Sequence, residues 1–164
     1  MAMVFRFALV CILVVSGALS AGATQYDNAR ALTGIDRVGI YFDVNLGDAD
    51  RLALRMRLIE QTIDQVRKAG IETDVVIGIR GGATSFMTRD DHYVLDDEVA
   101  AKQAIQEHLK AFAADGVVIE QCAIAADLED IPPGDFIDEV TFVANGYVSL
   151  VGYQARGYAV VPMD

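Results

Sequence analysis

Residues 115–125 read DGVVIEQCAIA: a glycine turn, an apolar β-rich run and a cysteine, then residues that favour helix. An uninterrupted apolar run suits a strand buried on both faces, so Val117–Gln121 is expected as a parallel-sheet strand with Cys122 at its carboxyl end. Ala123–Leu128 then reads as a short helix, stopped by Ile131-Pro132-Pro133-Gly134, where proline cannot continue it. The same grammar occurs upstream in RVGIYFDV (37–44) and in DVVIGIRGGA (74–83). Strands are expected at Arg37–Val44 and Asp74–Ile79, the second ending in the turn Arg80-Gly81-Gly82.

Helical periodicity fills the intervals. Asp48 is placed to cap a helix whose apolar face is Leu52, Met56, Ile59, Ile63 and Val66, with Gly70 as its stop. Asp96 or Asp97 opens a second helix carrying Ala101, Ile105, Leu109 and Phe112, closed by Asp115-Gly116. The polar stretch Thr84–Tyr93 between them reads as a long surface loop. A fourth strand is expected at Val140–Ala144, a turn at Asn145-Gly146, an amphipathic helix at Tyr147–Arg156 and a last strand at Tyr158–Val161. Alternating strands and helices imply an α/β fold with a parallel sheet covered on both faces. Ligands and chemistry collect at the carboxyl ends of such strands. Four segments end there: Asp43-Val44-Asn45, Arg80-Gly81-Gly82, Gln121-Cys122 and Asn145-Gly146.

Composition narrows the function classes. The chain has 164 residues, 53% hydrophobic, with 13 Lys+Arg against 24 Asp+Glu, which suits one packed domain and excludes a largely disordered chain. Its formal charge of −11 disfavours nucleic acid as a partner, since phosphates are repelled. Residues 1–23 read as a secretory signal peptide: Arg6 is the only charge, Phe7–Val15 is apolar, and Ala21-Gly22-Ala23 is a small-x-small cleavage site. The apolar core is too short for a permanent membrane anchor. Cleavage after Ala23 would leave a flexible leader at 24–35, a domain at 36–164 and Cys122 as the sole cysteine.

Cys122 is the sharpest chemical candidate. A sulfur between a strand end and a helix start faces unpaired backbone N–H groups and the positive end of the helix dipole, a setting that favours thiolate. The competing reading is an inert, buried cysteine. No C-x-x-C occurs, so a self-contained dithiol mechanism is excluded. A Cys–His or metal enzyme would need His92 or His108 near Cys122. Asp90, Asp91 and His92 read as solvated loop residues, and no metal or cofactor is expected. Asp43–Asp48 resembles a calcium loop only faintly, because Leu54 stands where a bidentate glutamate is needed. Gly81 and Gly82 suit a tight turn or close backbone approach better than a phosphate cradle. The cations Arg51, Arg55, Arg57, Arg67 and Lys68, against the acidic stretch Asp90–Glu98, make self-assembly plausible.

The ordered segments DVVIGIRGGA, DGVVIEQCAIA, the proline-bearing loop, Asn145-Gly146 and GYQARGYA (152–159) resemble the DsrE/DsrF-like family, in particular its exported single-domain members. The resemblance implies a three-layer α/β/α sandwich with a mainly parallel five-stranded sheet. It also implies homo-oligomers, trimers or hexamers, and a sulfur-relay role in which one cysteine carries sulfane sulfur as a persulfide. Cys122 falls where that cysteine is expected. Donor and acceptor thiol proteins would be its partners, and export would place the protein in the periplasm. Arg80, Gly81, Gly82 and Asn145, at neighbouring strand ends, are candidate supporting residues. The rival reading is a noncatalytic ligand-binding or assembly module with a structural cysteine.

Overall fold

The computed structural model describes residues 26–164; the expected signal peptide and the start of the leader lie outside them. Within the remaining leader, Ala29–Leu32 forms one helical turn (α1). The domain then runs β1 (Arg37–Val44), α2 (Ala49–Lys68), β2 (Glu72–Ile79), α3 (Val99–Ala114), β3 (Val118–Cys122), α4 (Ala123–Leu128), β4 (Thr141–Val143), α5 (Gly146–Ala155) and β5 (Ala159–Met163). All five strands are parallel, in the order β4-β3-β2-β1-β5, giving a three-layer α/β/α fold.

That order explains the layers. From β1 to β4 the chain steps one way across the sheet, so right-handed crossovers stack α2 and α3 on the same face. Between β4 and β5 it reverses across three strands, which sends α5 over the opposite face. Strand alternation then divides the residues. Ile40, Phe42, Val44, Ile77, Ile79 and Ile119 form the hydrophobic core with Leu52, Met56, Ile105 and Leu109. On the other face, one register row joins Asp43, Gly78, Glu120 and Thr141.

Local signals behave as their chemistry requires. The Asp48 carboxylate accepts the Arg51 N–H at 2.9 Å, which makes it a helix cap rather than a calcium ligand. Gly70, at φ +83°, turns the chain out of α2 through a conformation that a Cβ would strain. Two expectations need correction. Thr84–Tyr93 is a surface loop only in part: residues 89–92 are exposed, but Gly81–Met87 is a 3₁₀ segment whose Ala83, Thr84, Phe86 and Met87 are buried. Phe86 and Met87 are the apolar residues that make an exposed path unfavourable there. The second helix is entered at Glu98, not Asp96 or Asp97, and the Glu98 carboxylate accepts the Leu95 N–H at 3.0 Å. Lys102, only 1% exposed, ties that segment down by donating to the Asp90 carbonyl and pairing with Asp91 at 3.2 Å.

Candidate functional site

Three of the expected strand ends meet around one cavity of about 350 Å³. β2 supplies Arg80-Gly81-Gly82, β3 and α4 supply Cys122, Ile124, Ala125, Leu128 and Glu129, and the β4–α5 turn supplies Asn145 and Tyr147. The chain leaves β3 into α4 and leaves β4 into α5 across the other face, so a crevice opens between the two helices. Such a divergence is where open α/β sheets hold ligands.

Cys122 closes β3 and stands at the N-cap position of α4, but its side chain caps nothing in that helix. Its Sγ instead accepts the Gly146 N–H at 3.2 Å, from the first residue of α5. This corrects the expectation that the amides following Cys122 would hold the sulfur: the donor comes from 24 residues downstream. Asn145 makes the arrangement by capping α5, its Oδ1 accepting the Tyr147 N–H at 2.9 Å. Gly146 is needed for closeness, because a Cβ there would stand 3.2 Å from the Cys122 Cβ and 3.6 Å from Sγ. Cys122 is 4% exposed, and its sulfur is approached through the cavity that it lines.

Arg80 forms the adjoining wall. Its Nε and Nη2 donate to the two Asp43 oxygens at 2.8 and 2.6 Å, and Nη1 donates to the Tyr147 hydroxyl at 3.2 Å. The guanidinium also lies 4.6 Å from the centre of the Tyr147 ring. The hydrogen bonds to Asp43 raise the Arg80 pKa above its already high ordinary value. Gly81 and Gly82 serve close approach: Gly81 has φ +55°, and a Cβ on Gly82 would meet the Gly47 backbone at 2.7 Å.

Behind the cavity runs a polar layer between sheet and α5. The Tyr153 hydroxyl donates to Glu120 Oε1 at 2.9 Å, while Glu120 Oε2 is buried without a partner. Burial, then the hydrogen bond to Glu120, pushes the Tyr153 hydroxyl up to about 12. Tyr41 packs 5.4 Å from Tyr153, ring centre to ring centre, and burial, then the nearby charges of Glu120 and Asp43, raises its pKa as well. Gly78 leaves room for Tyr41, since a Cβ there would lie 1.9 Å from its hydroxyl.

Thus Cys122, Arg80, Gly81, Gly82 and Asn145 are brought together. His92 stacks on Tyr93, and His108 lies 3.5 Å from Glu60 on α2; neither lines the cavity. Among the described residues no cluster of three or more His, Cys, Asp or Glu is placed to hold a metal ion. Sequence reasoning missed Tyr147 as a member of the site, Gly146 as the donor to the Cys122 sulfur, Asp43 as the partner of Arg80, and the Glu120–Tyr153 pair. Asp43 and Glu120 did leave a signal: each is an acid inside an otherwise apolar strand, where burial demands a partner.

Comparison with known proteins agrees with this architecture. The chain is 29% identical over 125 residues to an uncharacterized protein of Aquifex aeolicus (strain VF5), a match covering 74% of this chain and 54% of that relative. The chain therefore spans about half the length of the relative. A solved structure of a protein of unknown function from Methanobacterium thermoautotrophicum superposes with a TM-score of 0.57 at 16% identity. That match covers 77% of this chain and 97% of the other, and it shows the shared fold. The family described as DsrE/DsrF-like matches residues 39–163, from the first strand to the last and across every wall of the Cys122 cavity. By that match, the chain belongs to the DsrE/DsrF-like family.

Proposed function

We propose that the protein is an exported sulfur carrier in which Cys122 takes up sulfane sulfur as a persulfide and passes it to an acceptor thiol. The observation that carries this reading is the Cys122 sulfur at the cavity wall, hydrogen-bonded to the Gly146 N–H at the N-terminus of α5. An N–H donor at a helix N-terminus favours negative charge on the atom it meets, and thiolate is the attacking form of cysteine. Membership of the DsrE/DsrF-like family supports the same role. The signal-peptide pattern at residues 1–23 supports a periplasmic location. An exported product beginning at Thr24 is the expected N-terminus.

Intact-mass analysis after exposure to a sulfane-sulfur donor tests the carrier. Mass should rise in sulfur-atom steps on the wild type, reverse with reductant, and be absent at residue 122 in Cys122→Ser. Equal uptake by the variant, or none by the folded and reduced wild type, would sink the reading. The burial of Cys122 favours the second reading, a ligand-binding module with a structural cysteine, and that reading leads if no adduct forms. Self-association is proposed with either. Its support is the apolar exposure of Val148 and Val151 on α5, at 67% and 63%.

A further inference from the structure

The cavity over Cys122 is mostly apolar, and the one cation in its wall is paired with a carboxylate. Ile124 and Leu128 are 46% and 80% exposed on its α4 side, and the Tyr147 ring forms the α5 side. Its cation, Arg80, is charge-paired. Two of its nitrogens donate to both oxygens of Asp43, the third donates to Tyr147, and the paired side chains are only 18% and 12% exposed. Asn145 spends its side-chain oxygen on the Tyr147 N–H. Glu129, at the cavity's edge, is engaged by no ion pair among the described residues and adds a negative charge. The chain as a whole carries −11. An anion entering this cavity would lose water and meet no free positive charge in return.

We infer that the Cys122 cavity selects uncharged sulfur donors with an apolar carbon body over small anionic ones, and that Asp43 sets this preference by neutralising the Arg80 charge in the cavity wall. The inference rests on the sulfur-carrier reading and names its substrate class. The apolar body lies against Ile124, Leu128 and Tyr147, and the volume of about 350 Å³ suits a small organic group. In the transfer, the Cys122 thiolate attacks the outer sulfur of an organic persulfide in its protonated, uncharged form, R–S–SH. A new S–S bond forms to Cys122 and the bond to the R-bearing sulfur breaks. That sulfur leaves with the bonding electron pair and takes the proton as R–SH, so Cys122 is left as a persulfide anion.

Asp43 makes the inference testable with two probes of similar size and opposite charge character. Iodoacetamide is neutral and iodoacetate is an anion; both alkylate thiolate with loss of iodide. Their relative rates at Cys122, located by peptide mapping of the full chain, are compared with the ratio for the same chain unfolded in denaturant. The folded wild type is expected to favour iodoacetamide well beyond the unfolded ratio. Asp43→Asn, which returns the Arg80 charge to the cavity, should shift the ratio toward iodoacetate by about tenfold, an effect typical of one nearby, partly screened charge. Adding Arg80→Met to Asp43→Asn should cancel that shift. Glu129→Gln, at an exposed position that does not threaten folding, should move the ratio the same way as Asp43→Asn but less. A wild-type ratio equal to the unfolded one, or an unmoved ratio in folded Asp43→Asn or in Glu129→Gln, overturns the selectivity while leaving the carrier reading standing. Failure of both probes to reach Cys122 in the folded wild type overturns both.

Discussion

The two faces of the sheet come from the same strands and differ in kind. On one, Phe42, Ile77 and Ile119 meet Leu52, Met56 and Leu109 from α2 and α3, and the contact is almost wholly apolar. On the other, Tyr41, Asp43, Glu120 and Cys122 meet a single helix, α5, through hydrogen bonds and an ion pair to the flanking Arg80. The difference teaches how a small domain separates two demands. Dispersion and hydrophobic burial secure the fold on the two-helix face, where the few buried polar groups, Gln121 and Lys102 among them, lie at the edge of a large apolar cluster. Polar groups gathered on the other face keep a sulfur, a cation and buried acids in fixed positions away from that cluster.

The largest expected effect breaks the apolar face. Phe42 is fully buried, and Phe42→Ala should cost about 3–5 kcal/mol in denaturant unfolding. Sulfur uptake per folded molecule should be unchanged. If uptake fell with the folded population intact, the two faces would not be independent. Next, Tyr153→Phe removes the hydroxyl that satisfies Glu120 Oε1 and should cost about 1–3 kcal/mol. The same change sharpens the comparison through pH. The folded state holds the Tyr153 proton up to about 12, against an ordinary tyrosine value near 10. Its contribution is therefore complete below about pH 10 and is lost as pH rises towards 12. Alkaline unfolding curves should be shallower for Tyr153→Phe than for the wild type.

Smaller effects fall on α5. Gly146→Ala places a methyl 3.2 Å from the Cys122 Cβ, so the helix start or the cysteine must shift. Stability should fall by about 1 kcal/mol, a mild overpacking cost. Sulfur uptake should slow more than that figure suggests, because the N–H donor to sulfur moves with the helix. Unchanged uptake kinetics would show that this hydrogen bond is incidental. The smallest change in monomer stability, within about 0.5 kcal/mol, is expected for Val148→Ser with Val151→Ser, both exposed. Light scattering should nonetheless report a lower mass than for the wild type if copies meet through α5.

Much of this architecture was legible in the sequence. Strand β1 at Arg37–Val44 and helix α4 at Ala123–Leu128 have the bounds that their apolar runs and breakers predict. Both were readable because Asp48, Gly70, Gly116 and the Pro132-Pro133 pair act locally. The start of the 84–93 stretch was misread because its polar residues outweigh Phe86 and Met87 in a linear reading. In the fold, Thr84 and Thr88 are buried with hydrogen-bond partners: Thr84 accepts from Gln121, and Thr88 donates to the Ser85 carbonyl. Cys122 and the strand ends around it were readable for the same reason as the strands: parallel sheets align their carboxyl ends.

By itself the sequence determined the alternation of elements, the acid balance and the placing of the sole described cysteine at the end of β3. Short-range propensities and apolar periodicity carry those features. Only the tertiary structure decided which N–H meets the sulfur, that Arg80 is neutralised by Asp43 across 37 residues, and that Glu120 is met by Tyr153 across 33. The Gly146 and Tyr153 pairings depend on the crossing of α5 over the sheet, set by the reversal between β4 and β5, and the Arg80–Asp43 pair depends on the parallel pairing of β2 with β1. Burying an acid or an arginine is unfavourable until such a partner arrives, so the packing of distant elements makes these residues a site.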